Sequence, residues 1–157
     1  MPDHTQRQRV REAAFRLLAV RARSARELRQ RLRQKSFSPD LIDETLLDFQ
    51  AKGYQSDEQF ARLLASAKWS HSGWGPARVR RELGARGIAP ELIDRVVGET
   101  YGEVDLVAGI LPLARKRWRS TAGLPLVKRR NRLAGFLQRR GYDWGTITQV
   151  MEQVENG

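Results

Sequence analysis

The chain has 157 residues, of which 40% are hydrophobic and 30% are charged, a balance typical of a globular protein rather than a disordered one. The sequence contains no apolar run long enough for a membrane span, and its first residues lack the apolar region of a signal peptide, so we expect none. It contains no cysteine, which excludes disulfides, thiol catalysis and thiolate metal sites. Together these features predict a cytoplasmic protein without membrane association.

The net charge of +11 is distributed unevenly along the chain. Residues 7–35 include eleven basic and two acidic side chains, and residues 106–142 include ten basic side chains and no acidic one. The segment between them, 36–105, has twelve acidic and eight basic residues. Such an excess of positive charge favours a polyanionic partner, although it says nothing about the fold.

Apolar spacing and helix-capping signals predict an all-α fold. Ser24 followed by Glu27 is a capping box, and Pro39 and Pro90 stand where a first helical residue is expected. Pro112 is expected to kink or split its helix. No segment alternates as a strand does. The predicted helices span roughly residues 6–21, 25–35, 39–51, 57–70, 76–86, 90–100, 103–119, 126–140 and 144–155.

The sequence repeats with a period of 51 and then 54 residues when it is anchored on Phe37, Ile88 and Tyr142. Apolar residues recur five and nine positions on each side of every anchor, and a serine or glycine precedes it. This pattern predicts an elongated tandem array of three three-helix repeats, with boundaries at 1–53, 54–101 and 102–157. Each repeat is expected to be too small for a core of its own and to pack on its neighbour.

The second and third helices of each repeat have the outline of a helix-turn-helix motif. In DNA-binding versions of that motif the second element enters the major groove. Here the corresponding helix of repeat 1 is acidic, with Asp40, Asp43, Glu44 and Asp48 and no basic residue. Repulsion from phosphate would oppose groove binding. We therefore interpret the turn as a structural corner.

Basic residues concentrate instead on the second helices and at the end of the seventh. On the helix predicted over residues 25–35, the basic residues lie opposite the apolar Leu28 and Leu32 in the helical projection. The pattern fits an ordinary solvated surface or an electrostatic contact surface, and the acid-free C-terminal third favours the contact surface. The candidate contact residues are Arg26, Arg29, Arg33, Arg115, Lys116, Arg117, Lys128, Arg132 and Arg139.

Aromatic residues and catalytic groups give fewer signals. Trp69 and Trp118 are predicted to pack beside apolar neighbours on their helices, and Trp144 to pack at a helix start. Trp74, flanked by glycines, is either a packing residue or an exposed interface anchor. The two histidines have no cysteine or suitably spaced carboxylate to complete a metal set, and the sequence has no phosphate-binding loop. We expect no catalytic residue, metal or cofactor, and hence no enzyme.

Four segments in order resemble the RecX family of regulatory proteins: LLAVRARSARELRQRL (17–32), GYQSDEQFA (53–61), GPARVRRELGARGI (75–88) and RRGY (139–142). Ser36 departs from the pattern, because the family commonly has glycine there. The resemblance implies a modulator of the bacterial RecA recombinase in DNA recombination and repair. It would bind the RecA–single-stranded DNA filament in its helical groove and inhibit ATPase and strand-exchange activity, without a cofactor.

A second hypothesis is that the chain is a helical DNA- or RNA-binding protein that contacts phosphates without RecA. The positive charge alone is compatible with both, and we expect a monomer in either case. The two hypotheses differ in their salt dependence and in the amount of protein needed, because binding to bare nucleic acid weakens steeply with salt.

Overall fold

The computed structural model describes residues 4–157, and within that range the chain forms nine α-helices and no β-strand. The predicted all-α tandem array is confirmed. The helices are α1 His4–Val20, α2 Ala25–Gln34, α3 Pro39–Ala51, α4 Asp57–Ser72, α5 Pro76–Ala85, α6 Pro90–Tyr101, α7 Leu106–Ser120, α8 Leu126–Arg139 and α9 Trp144–Asn156.

Local sequence determines where these helices begin. Ser24 forms the predicted capping box with Glu27, in which each side chain bonds the backbone N–H of the other. Asp105 and Asp143 cap α7 and α9 with their carboxylates. The expected split at Pro112 is wrong, because α7 continues through this residue as one helix.

Each repeat encloses a separate hydrophobic core, so the expectation that a repeat lacks one is wrong. All three helices of a repeat contribute buried side chains, and the first helix closes the side that a helix-turn-helix pair would leave open. Phe49, Leu83 and Leu137, which represent the three cores, are fully buried. The cores of repeats 2 and 3 share Trp69 and Leu106 at their margins, whereas those of repeats 1 and 2 share no residue.

The corner between the second and third helices requires a left-handed residue in every repeat. Gly87 and Gly141 adopt φ values of 83° and 98°, as the helix-ending pattern predicts. Ser36 takes the same place in repeat 1 with φ 68°. A side chain at Gly87 would collide with Arg26, and one at Gly141 would collide with the backbone of Arg78. The two glycines therefore serve the contacts between repeats as well as the turns.

Candidate functional site

The joint between repeats 1 and 2 connects the N-terminus of α2 to the C-terminus of α5. The Ser24 hydroxyl donates to the carbonyl of Arg86 at 2.7 Å, and the Arg26 guanidinium donates to the carbonyl of Ala85 at 2.6 Å. Arg86 in turn pairs with Glu27 at 2.8 Å. These contacts satisfy carbonyls at the end of α5 that have no partner within the helix.

The joint between repeats 2 and 3 has the same geometry, shifted by one repeat. The amide of Gly75, at the start of α5, donates to the carbonyl of Arg140 at 2.7 Å, and the Arg78 guanidinium donates to that of Arg139 at 3.3 Å. The Tyr142 hydroxyl donates to the carbonyl of Gly73 at 2.8 Å, and burial raises the pKa of this tyrosine. At the second joint, each repeat thus donates hydrogen bonds to backbone carbonyls of the other.

These two joints bring the ends of the three second helices together. The C-terminus of α8 meets the N-terminus of α5, and the C-terminus of α5 meets the N-terminus of α2. Their macrodipoles are therefore placed end to end, with opposite partial charges meeting at each joint. The basic second helices follow one another through the array rather than lying on unrelated parts of it.

Most carboxylates of the acidic third helices pair with cations of their own repeats. In repeat 1, Asp43 pairs with Arg29 of α2 at 3.2 Å, and Asp48 pairs with Arg11 of α1. Repeat 2 reproduces both pairs, with Asp94 bound to Arg80 and Glu99 bound to Arg62. The pKa values of Asp48 and Glu99 are lowered, chiefly by the hydrogen bonds from their arginines. This explains an acidic helix in a basic protein, because its carboxylates offset cations of the neighbouring helices.

Repeat 3 lacks these compensating acids. Thr148 of α9 stands where Asp43 and Asp94 stand in the other repeats, and Gln153 stands where Asp48 and Glu99 stand. Among the described residues the one ion pair of repeat 3 joins Arg130 to Glu155. Repeats 1 and 3 have the same net charge of +5, with 12 basic and 7 acidic residues in 1–53 and 10 and 5 in 102–157. They differ in pairing, because one of the ten cations of repeat 3 is ion-paired within the described residues, against six of the twelve in repeat 1.

The three candidate residues on α2 have different environments. Arg26 belongs to the first joint, where its guanidinium is bound to a backbone carbonyl. Arg29 is paired with Asp43. Arg33 is exposed near the C-terminus of α2, and no ion pair to it is found among residues 4–157. On α2, the structure thus leaves Arg33 as the candidate most accessible to a partner.

The three candidates on α7 lie on two different sides of that helix. Lys116 and Arg117 line a groove against α8 together with Arg140, and the Arg117 guanidinium lies 4.8 Å from the centre of the Phe136 ring. Arg140 lies at the same distance from this ring. Arg115 is half-buried and lies instead in the cleft between α7 and α9. The structure therefore separates Arg115 from the other two.

The three candidates on α8 are all exposed. Lys128, Arg132 and Arg139 are spaced by four and seven residues, which places them on one face of the helix. None of them has an ion-pair partner in the described part of the chain. With the α7–α8 groove, they make repeat 3 the part of the array with the most accessible positive charge.

Sequence reasoning missed several residues of this surface. Arg81 is an exposed cation on α5, the second helix of repeat 2. No candidate contact residue was predicted on that helix. Arg140 was missed because its role depends on a contact with Ser72 of the preceding repeat. Trp74 is half-buried between Lys68 and Arg78, whose charged groups lie 4.6 and 4.0 Å from its ring centre, which favours packing over an exposed anchor. The packing prediction for Trp144 is wrong, because this side chain is 71% exposed.

The described residues offer no sign of a metal centre or a membrane span. Between residues 4 and 157 no three or more histidine, cysteine or carboxylate side chains converge as a metal site would require. Within the same range, no helix combines the length and the apolar character needed to cross a bilayer.

The fold and the charge distribution define a class: tandem three-helix repeat proteins with a basic C-terminal repeat. Comparison with known families identifies one family within this class. The profiles for the first, second and third three-helix domains of RecX match residues 11–47, 56–97 and 103–151. The chain belongs to the RecX family of regulatory proteins. The domain boundaries given above remain a prediction.

Curated relatives agree with this assignment, and each is named Regulatory protein RecX. The protein of Trichlorobacter lovleyi is 33% identical over 90% of this chain and 92% of its own length. That of Amycolatopsis mediterranei is 31% identical over 98% and 87%, and that of Halorhodospira halophila is 36% identical over 85% and 80%.

Solved structures support the fold. The crystal structure of RecX from Lactobacillus salivarius superposes with a TM-score of 0.85, covering 98% of this chain and 99% of that one. A second crystal structure, of a regulatory protein RecX, gives a TM-score of 0.84 and covers 94% and 73%. At 17% sequence identity in both cases, these likenesses concern the fold alone.

Proposed function

We propose that this chain regulates RecA by binding the RecA–single-stranded DNA filament in its helical groove and inhibiting its ATPase and strand-exchange activities. Membership of the RecX family supports a regulatory role. The observation that carries the proposal is the number of cations in repeat 3 that have no acidic partner. Repeats 1 and 2 pair about half of their cations internally, whereas Arg130 is the one paired cation of repeat 3 among the described residues, and Lys128, Arg132 and Arg139 have no acidic partner there.

The end-to-end second helices suit a partner that is itself a polymer. Cations on α8 and α2 would meet successive phosphates or carboxylates, because the helices follow one another across the two joints. Arginine donates several hydrogen bonds in a planar arrangement to either anion. We assign the primary contacts to Lys128, Arg132 and Arg139, with Lys116, Arg117 and Arg33 beside them. We do not assign primary contacts to the other three candidates. Arg26 and Arg29 are bound within the chain, to the Ala85 carbonyl and to Asp43, and Arg115 lies in the separate α7–α9 cleft.

The test is the ATPase of RecA on single-stranded DNA, measured with and without the chain. We expect inhibition by the unaltered protein and weaker inhibition by the double variant Arg132→Glu and Arg139→Glu. A matched control carries Arg9→Glu and Arg16→Glu, which change the net charge equally at exposed positions of α1 rather than of a second helix. Helical circular dichroism should be unchanged in both variants.

The same measurement separates the second hypothesis, a nucleic-acid-binding protein that acts without RecA. A filament regulator should inhibit at protein concentrations far below those that coat bare DNA. Direct DNA binding should weaken steeply with salt, by about one log–log unit for each phosphate contact. Inhibition that appears only when free DNA is already saturated would overturn the proposal, and so would equal effects of the two charge-reversal variants.

A further inference from the structure

The groove between the first and third helices is bridged by charged pairs in repeats 1 and 2. Arg7 pairs with Glu44, and one turn further along Arg11 pairs with Asp48. In repeat 2 the first pair is reversed in sign, as Glu58 with Arg95, and the second is Arg62 with Glu99. Two ion pairs thus connect the outer helices of each of these repeats across the same groove.

The equivalent positions of repeat 3 follow from the buried residues of the first helix. Arg11 and Arg62 each come directly after a fully buried residue that lies four positions before a buried alanine. The same pattern in α7 is Ile110 with Ala114, so the equivalent position is Leu111. The position one turn earlier is Val107. On α9 the facing positions are Gln149 and Gln153.

Repeat 3 therefore has apolar side chains and amides where the other repeats have ion pairs. The groove of repeat 3 is a cleft of about 680 Å³, compared with about 360 Å³ for the bridged groove of repeat 1, and the larger volume is within the range of ligand sites in proteins. Its lining includes Val107, Leu111 and Pro112 on α7 and Gln149 and Gln153 on α9. No charged bridge crosses this cleft between the described helices.

Two arginines lie at the C-terminal end of the cleft. Arg115 and Arg119 continue the lining of α7, one and two turns beyond Leu111. Arg115 is half-buried, with its guanidinium beside Gly157, and Arg119 is exposed. Asp105 lies at the opposite end, where its carboxylate caps α7. The cleft thus has an apolar and amide floor, a cationic end and one acidic group at the other end.

We propose that the α7–α9 cleft binds an acidic, partly apolar segment of a protein partner. Carboxylates of that segment would pair with Arg115 and Arg119, as α3 and α6 carboxylates pair with first-helix arginines in the other repeats. Its apolar side chains would cover Val107 and Leu111. A phosphate backbone fits less well, because it offers nothing apolar to the floor and would meet Asp105. This inference goes beyond the proposed function and does not depend on it.

The test uses fluorescence anisotropy of a short labelled peptide in which glutamate and leucine alternate. A matching peptide carries glutamine in place of glutamate. We expect the glutamate peptide to bind more tightly. The double variant Arg115→Ala and Arg119→Ala should weaken its binding about tenfold, which corresponds to 1.4 kcal/mol. Gln153→Glu should also weaken it, because this change restores the acid that Asp48 and Glu99 provide in the other repeats.

Control variants decide whether the effect belongs to the cleft. Arg9→Ala with Arg16→Ala removes the same charge from α1 and should leave peptide binding within about twofold of the original. Equal binding of the two peptides, or equal weakening by both double variants, would overturn the inference. A labelled thymine oligonucleotide that binds more tightly than the peptide, with loss in Arg115→Ala and Arg119→Ala, would assign the cleft to nucleic acid instead. None of these measurements involves RecA, so the outcome is independent of the proposed function.

Discussion

The Ser24 hydroxyl and the Arg86 carbonyl are joined by a 2.7 Å hydrogen bond although 62 residues separate them in the sequence. The same hydroxyl accepts a hydrogen bond from the backbone N–H of Glu27 at the start of α2. Ser24 is fully buried. One side chain therefore both begins a helix and holds the neighbouring repeat.

Replacing Ser24 by alanine should remove both roles. We expect Ser24→Ala to lower the free energy of unfolding by about 1–3 kcal/mol, because a helix cap is lost and the part-buried hydrogen bond to the Arg86 carbonyl is removed. Urea titration followed by circular dichroism measures the change. Ser38→Ala is the matched control, because Ser38 is exposed and its hydroxyl caps α3 through the Leu41 amide of the same repeat. Ser38→Ala should lower the free energy of unfolding by about 1 kcal/mol or less. Equal losses in the two variants would contradict a stabilising contribution from the bond between Ser24 and Arg86.

Glu27 should make the first joint sensitive to acid. Burial alone would raise the pKa of this carboxyl, but hydrogen bonds from Arg21 and the Ser24 backbone, with the charges of Arg21 and Arg86, lower it overall. A carboxyl whose pKa is lowered on folding stabilises the protein above its ordinary pKa of 4.5. That stabilisation is lost as the pH falls from there through the lowered value.

Glu27→Gln should therefore reduce the loss of unfolding free energy as the pH falls below about 4.5. Glutamine can still complete the capping box. The measurement is a series of urea titrations at neutral and acidic pH for both proteins. Asp40→Asn serves as the control, because Asp40 is exposed and has no ion-pair partner among residues 4–157. An unchanged pH dependence in Glu27→Gln would show that the joint carboxylate does not contribute.

Ser36 occupies a left-handed position that glycine would adopt without strain. We expect Ser36→Gly to raise the free energy of unfolding by up to about 1 kcal/mol, because a side chain at positive φ is unfavourable. The reverse change, Gly141→Ser, should destabilise by more than this, since its side chain would also strike the backbone of Arg78. Thermal melts of both variants provide the comparison. A destabilised Ser36→Gly would mean that the serine makes a contact worth more than the strain.

The helices and the repeat were predictable from sequence because both depend on local signals. Apolar spacing around Phe37, Ile88 and Tyr142 reflects the same corner three times, and the capping box at Ser24 needs four consecutive residues. Pro112 did not split its helix, so the local preference of proline for a helix break was not decisive there. The separate cores were missed because spacing alone does not reveal how fully a first helix closes its repeat.

The contact surface was less predictable, because the partner of a charged residue is set by the tertiary structure. Nothing local distinguishes Arg29, which is paired with Asp43, from Arg132, which is not. The sequence could have provided one signal, however. Aligning the third helices of the repeats shows acids at two positions of α3 and α6 that become Thr148 and Gln153 in α9. That comparison indicates that repeat 3 lacks two of the ion pairs that repeats 1 and 2 form.

Because the cores share residues unequally, we expect the two joints to differ in stiffness. Repeats 2 and 3 are coupled through Trp69, whose ring lies against Gly109, as well as through backbone hydrogen bonds. Repeats 1 and 2 have no common core residue and meet through polar contacts around Ser24 and Arg86. Bending should therefore concentrate at the first joint, so that α1–α3 pivots against a more rigid remainder. Such a hinge would let one end of the protein follow changes in the pitch of a long partner while the other end stays anchored.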